Sequence, residues 1–181
     1  MEILSSLSVQ EFDKDFGFLH RSIFSGEGYD VRPFVPVEWE MLLVPYGCSM
    51  EGQDFRGLLL AAEAYGDREI IIADAETNQP SEAAVVIEAS CTAFETAKSR
   101  PGTNLAIIDI HLFGKSGRWG CICAASCDDV AIVGGDSAFI TRFLEAVGGI
   151  VALRDRFLEF ATTEWDIGDQ ARSRLMGLVG W

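Results

Sequence analysis

The stretch from Asn104 to Gly148 leaves this chain the fewest ways to fold. Leu105–Leu112 is nearly all apolar, Arg118–Ala124 follows a glycine-containing break, and Val130–Val133 follows a polar turn. Short apolar runs punctuated by glycine and aspartate read as three strands. Gly134-Gly135 reads as the stop of the third, and Asp136 stands where a helix N-cap is wanted. Phe139, Ile140, Phe143, Leu144 and Val147 then recur at helical spacing and give one apolar stripe. Three strands followed by a helix packed on them is the expectation.

The flanking segments extend this pattern. Ser8 with Glu11 makes a capping box. Phe12, Phe16, Leu19 and Ile23 mark one helix face, ending at Gly26 or Gly28, and His20 beside that face reads as a packing residue. Arg32–Pro36 should be extended, because each proline turns its predecessor away from helix. Val37–Val44 fits a strand by alternation or a helix opened by Pro36. Gln53–Tyr65 reads as a helix stopped by Gly66, and Glu69–Asp74 and Ala83–Glu88 read as strands around a polar turn. Cys91–Lys98 suits a short helix, Ile150–Ala161 a longer one, and Asp169–Leu178 a last one. The fold class expected is α+β, a single domain over residues 1–181. Its sheet is mostly antiparallel, of about five strands, flanked by N- and C-terminal helices.

Composition narrows the function classes. A chain of 181 residues that is 49% hydrophobic and 10% aromatic can bury a full core and is not disordered. The longest apolar runs, such as Ile70–Ala73 and Leu105–Ile108, are too short to span a bilayer, and Glu2 replaces the basic start of a secretory signal. Five cysteines, an odd number, suit free thiols in a reducing cytosol. The expected location is cytoplasmic. The 28 Asp and Glu against 14 Lys and Arg leave a net charge of −14. Such a field repels nucleic acid and anionic membrane and attracts basic partners.

Candidate chemistry is sparse. Gly114-Lys115-Ser116 resembles the end of a phosphate-binding loop, but Asp109 stands where that motif needs its first glycine. If the loop Phe113–Gly117 closes a hairpin, His111 faces Trp119 and Asp109 faces Cys121, with Cys123 on the same sheet face. A Cys, a His and an Asp on one face would suit a thiol nucleophile or a metal site. The competing reading is buried packing thiols, since unpaired cysteine is among the most buried residues. That reading is preferred, so no catalytic residue, metal or cofactor is expected.

Ser116-Gly117-Arg118-Trp119-Gly120, the acidic turn Asp128-Asp129, and Ile132-Val133-Gly134-Gly135-Asp136 leading into Phe139-Ile140 together resemble an arrangement in immunity proteins. These belong to bacterial polymorphic-toxin and contact-dependent competition systems. The resemblance implies a cytoplasmic, non-enzymatic protein that binds one cognate toxin domain and blocks its active site. An acidic surface fits a basic toxin, because complementary charge speeds encounter. The residues expected to meet that partner are Asp74, Glu76, Glu82, Asp128 and Asp129, which fall in or beside polar turns. The alternatives are a small thiol- or histidine-dependent enzyme or ligand binder on the Asp109/His111/Cys121 face, or an accessory subunit without activity of its own.

Overall fold

Strands whose two faces are both apolar need cover on both sides, and the fold supplies it. The computed structural model describes residues 3–26, 32–47, 52–75, 84–98, 109–124, 130–165 and 167–181. Its strands are β1 (Ile3–Leu7), β2 (Glu40–Val44), β3 (Glu69–Asp74), β4 (Ala84–Glu88), β5 (Ile110–Phe113), β6 (Trp119–Ala124) and β7 (Val130–Gly135). All pair antiparallel in one sheet of order β1-β4-β3-β5-β6-β7-β2. Every residue of β5, β6 and β7 is buried. Such unbroken apolar runs mark strands with no solvated face.

The alternate residues of each strand divide into two cores. One holds Ile70, Ile72, Leu112, Trp119, Cys121 and Val133 under α3 (Gly52–Glu63), α4 (Cys91–Lys98) and α5 (Ser137–Val147). The other holds Ile71, Phe113, Ile122 and Ile132. It lies under an N-terminal helical run and α6 (Gly149–Thr163), with Leu175 of α7 (Asp169–Leu178). The N-terminal run is α1 (Val9–Phe12), a π-helical stretch over Asp13–Gly17, and α2 (Phe18–Ile23). Among the described residues, no helix is long and apolar enough to cross a membrane.

Several sequence expectations need correcting. Among the described residues the sheet has seven strands, not about five, and α3 and α4 lie between strands in the chain. β1 was not anticipated: it is a short edge strand, half polar, with no strong periodicity of its own. Of Val37–Val44 only Glu40–Val44 is strand. The first strand of the central stretch, expected to end at Leu112, runs on to Phe113. Leu105–Ile108 lies outside the described residues, and β5 starts at Ile110.

Gly134-Gly135 does not stop β7 but completes it. A Cβ on Gly134 would come within 2.4 Å of the Phe34 ring, and one on Gly120, its partner across β6, would come within 2.7 Å of Ile23. The glycine pair is therefore a floor on which Phe24 and Phe34 rest. The first helix also ends sooner than Gly26, because Phe24 turns extended to bridge Phe34.

Local signals elsewhere hold. Ser8 and Glu11 form both halves of the capping box. Asp136 caps α5 through Phe139 N at 2.9 Å, and also accepts from the Tyr65 hydroxyl at 2.5 Å and faces Arg118 at 3.3 Å. Burial opposes its charge, yet these donors together hold its carboxyl below the ordinary range. Gly148, with φ of 92°, ends α5 in left-handed conformation. Phe139, Ile140, Phe143 and Val147 all face the sheet and are buried. Phe143→Ala is expected to destabilise the fold by about 3–5 kcal/mol, the usual cost of emptying a fully buried ring site. Chemical denaturation checks this, and a loss below about 1 kcal/mol would contradict the packing of α5.

Candidate functional site

The turn between β5 and β6 decides which side chains meet. Asp67 enters it from the connection between α3 and β3. Its carboxylate accepts from Ser116 N at 2.9 Å, Ser116 Oγ at 2.6 Å and the buried Trp119 Nε1 at 2.9 Å. A side chain at Gly114 would collide with that carboxylate, at 2.1 Å. Lys115 pairs with Glu69, so Gly114-Lys115-Ser116 serves the turn and not a phosphate.

The register that results is not the expected one. Phe113 pairs with Gly120, Leu112 with Cys121, and His111 with Ile122. Six residues thus separate the last paired positions, where the sequence reading needed an odd number. The one-residue difference sends His111 to one face and Cys121 and Cys123 to the other. The proposed Asp109/His111/Cys121 constellation does not form. Cys121 and Cys123 are fully buried in the core under α3 and α5. Asp109 is buried just ahead of β5, on the opposite side of the sheet from Cys121 by strand alternation. Of the five residues expected to meet a partner, Asp74 ends β3 opposite Ile110 and is half-buried. Glu76, Glu82, Asp128 and Asp129 lie outside the described residues.

His111 finds another histidine instead. Its Nδ1 lies 2.8 Å from Nε2 of His20, on α2. The His111 ring stacks on Phe24 at 4.0 Å, and His20 sits among Phe12, Phe24 and Phe113. Burial pushes His20 down to about 4 and His111 down to about 3. Both rings are therefore neutral at pH 7, one donating to the other. The pair ties the N-terminal helix to the middle of the sheet. The packing role expected for His20 is what the structure shows, although nothing in the sequence linked it to a residue 91 positions away.

A hollow of about 630 Å³ opens just past β2, the edge strand of the sheet, between α3 and α6. Pro45 and Tyr46, after β2, form one wall, and Gln53 and Asp54, at the start of α3, form the floor. The far wall is one face of α6: Arg156, Glu159, Phe160 and Thr163 recur at helical spacing, and Glu164 follows the last turn. Tyr46 is the non-glycine residue with positive φ, 61°, among the described residues. Its ring meets Phe160 edge-on at 4.9 Å, and its hydroxyl donates to Glu164 Oε1 at 2.8 Å. That hydrogen bond pushes the phenol above its ordinary value.

Arg156 is held at the floor. Its Nη2 donates to Asp54 Oδ1 at 2.5 Å and its Nη1 to the Val147 carbonyl, at the end of α5, at 3.2 Å. Burial still pushes the Asp54 carboxyl up, with Arg156 opposing the shift. Tyr46 is 41% exposed and Glu159, Thr163 and Glu164 are exposed, so the mouth faces solvent. The sequence reading missed this site altogether. Asp54 and Arg156 look like ordinary helix residues, and only a contact across 102 positions makes them a pair.

A second hollow of about 440 Å³ lies beside Arg56, Leu60, Glu63 and Arg68, with Asp67 in its wall already engaged by the turn. Among the described residues, no three His, Cys, Asp or Glu side chains are grouped to hold a metal ion. No family model, curated protein or solved structure matches this chain.

Two outcomes follow from this geometry. Asp67→Ala leaves the buried Trp119 N–H and the Ser116 amide without their acceptor, so stability should fall by about 1–3 kcal/mol for each stranded donor. Thermal and urea unfolding measure it, and an unchanged midpoint would show that the carboxylate does not hold the turn. The histidine pair should make stability depend on pH. Both folded-state values lie below the ordinary 6.5, so the unfolded chain binds protons that the folded chain refuses. This contribution is fully present above pH 6.5 and declines as pH falls, by about 2 kcal/mol per histidine between pH 6.5 and 5. Denaturation at the two pH values should show a smaller loss in the His20→Gln/His111→Gln variant, and equal losses would contradict the assignment.

Proposed function

We propose that this protein is an acidic binding module for a basic protein partner, a stoichiometric inhibitor of the immunity-protein kind that its central stretch resembles. The observation that carries this reading is where the charge lies. Acids outnumber bases by 28 to 14, and of the described carboxylates only Asp54, Asp67 and Asp109 are buried. Glu38, Glu63, Glu88, Glu95, Glu145, Asp155 and Glu159 are all exposed. Negative charge held at the surface attracts a cationic surface and raises the encounter rate. The cognate partner in this reading is a basic toxin domain in the cytoplasm, met by contacts and not by chemistry. Asp74, Glu76, Glu82, Asp128 and Asp129 are the residues proposed to meet it, on the strength of the polar, turn-forming sequence around them.

The test is association kinetics with a candidate basic toxin domain, across a salt series. The on-rate should fall as ionic strength rises. Reversal of Glu76, Glu82 and Asp128 to lysine should slow association about tenfold with the fold unchanged. A salt-independent on-rate, indifferent to the reversals, would overturn the reading.

A further inference from the structure

The hollow between Tyr46 and α6 has the chemistry of a receptor for one kind of group. Its volume, about 630 Å³, lies within the range of ligand pockets. Tyr46 and Phe160 offer two aromatic surfaces at one end, suited to an apolar stem or to a cation over a ring face. Glu159 and Glu164 stand at the mouth, and both are exposed. The lining cation, Arg156, is already held by Asp54 and the Val147 carbonyl, so it offsets Asp54 and leaves the two glutamates uncompensated.

The helix adds to this field. The site lies at the C-terminal end of α6, where the last carbonyls carry partial negative charge. Helices commonly place a lysine or arginine in that turn, and α6 has no basic residue there. Two carboxylates, a helix C-terminus and an aromatic wall therefore border one solvent-open cavity whose lining cation, Arg156, is already paired with Asp54. The hydrogen bond from Tyr46 to Glu164 sets the aromatic wall and the carboxylate at a fixed spacing.

We propose that this cavity receives a cationic head on an apolar stem, the lysine or arginine side chain of a basic partner, with its charge between Glu159 and Glu164 and its stem against Tyr46 and Phe160. The choice of a side chain over a free amine rests on the function proposed above; the cation chemistry of the cavity does not. Arginine suits it better than lysine, since a planar guanidinium can engage a carboxylate with two donors while stacking on a ring.

The probe is N-acetyl-arginine methylamide, titrated into isotopically labelled protein and followed by amide chemical shifts. Its neutral isostere, N-acetyl-citrulline methylamide, and the free amine agmatine are the comparison arms. Saturable shifts confined to the neighbourhood of Tyr46, Gln53, Thr163 and Glu164 are expected. The Glu159→Gln/Glu164→Gln variant, altered only at exposed positions, should bind roughly fivefold or more weakly. Equal binding of the citrulline compound, an undiminished affinity in the variant, or shifts scattered over the acidic surface would overturn the cation site. Markedly tighter binding of agmatine would give the cavity to a free amine and overturn its assignment to a partner's side chain. These readouts need no toxin. A failed cavity thus leaves the inhibitor reading to its salt series, and a salt-independent on-rate leaves the cavity to this titration.

Discussion

The Asp67 carboxylate controls more of this structure than any other single group. It gathers Ser116 and the Trp119 indole N–H and forbids a side chain at Gly114, and so sets the span between Phe113 and Gly120. Register in a sheet has a period of two, so that span decides the face of every side chain on β6 relative to β5. Trp119, Cys121 and Cys123 are directed to α3 and α5, and Gly120 and Ile122 to α2 and Phe24. One residue more or less would exchange the sets. A buried carboxylate is tolerated here because three donors satisfy it.

Two-sided cover follows from the same alternation. With both faces of β5, β6 and β7 apolar, helices must pack above and below the sheet, and the chain delivers them from both its ends and its middle. Where a ring must lie close against the strands, a side chain is missing. Gly120 and Gly134 face each other across β6 and β7 under Phe24 and Phe34. Trp119 stacks on Phe139 at 5.5 Å on the other side. The histidine pair belongs to this architecture: it is a polar link between α2 and β5 in an otherwise aromatic cluster, kept neutral by its surroundings.

The ionisable groups sort into two populations. Asp67, Asp136, Asp54, His20 and His111 are bound to partners within the fold and hold elements in place. Many other carboxylates lie at the surface, and their excess gives the molecule its field. The cavity beside Tyr46 is where the two populations meet. Its floor is a bound ion pair that links α3 to α6, and its mouth carries exposed glutamates beside a helix C-terminus. Tyr46 occupies a left-handed backbone conformation that non-glycine residues seldom adopt, and such strain persists where surroundings over-determine it.

What the sequence determined by itself is local. The capping box at Ser8, the N-cap at Asp136, the stripe from Phe139 to Val147, the strand Glu69–Asp74 and the last helix Asp169–Leu178 each depend on residues within a few positions of one another. Periodicity and capping chemistry read those directly. The charge excess is likewise a property of composition. Tertiary structure decided everything that required two distant segments to meet. The parity of the β5–β6 turn depended on Asp67, far earlier in the chain, and its misreading assembled a Cys–His–Asp face that does not exist. Gly134-Gly135 looked like a terminator because glycine usually ends a strand, whereas here the rings of Phe34 and Phe139 require its bareness. His20 with His111, and Asp54 with Arg156, are pairs that no spacing announces. Local preference acts through neighbours along the backbone, but a site is made by neighbours in space, and those are fixed only once the sheet has chosen its register.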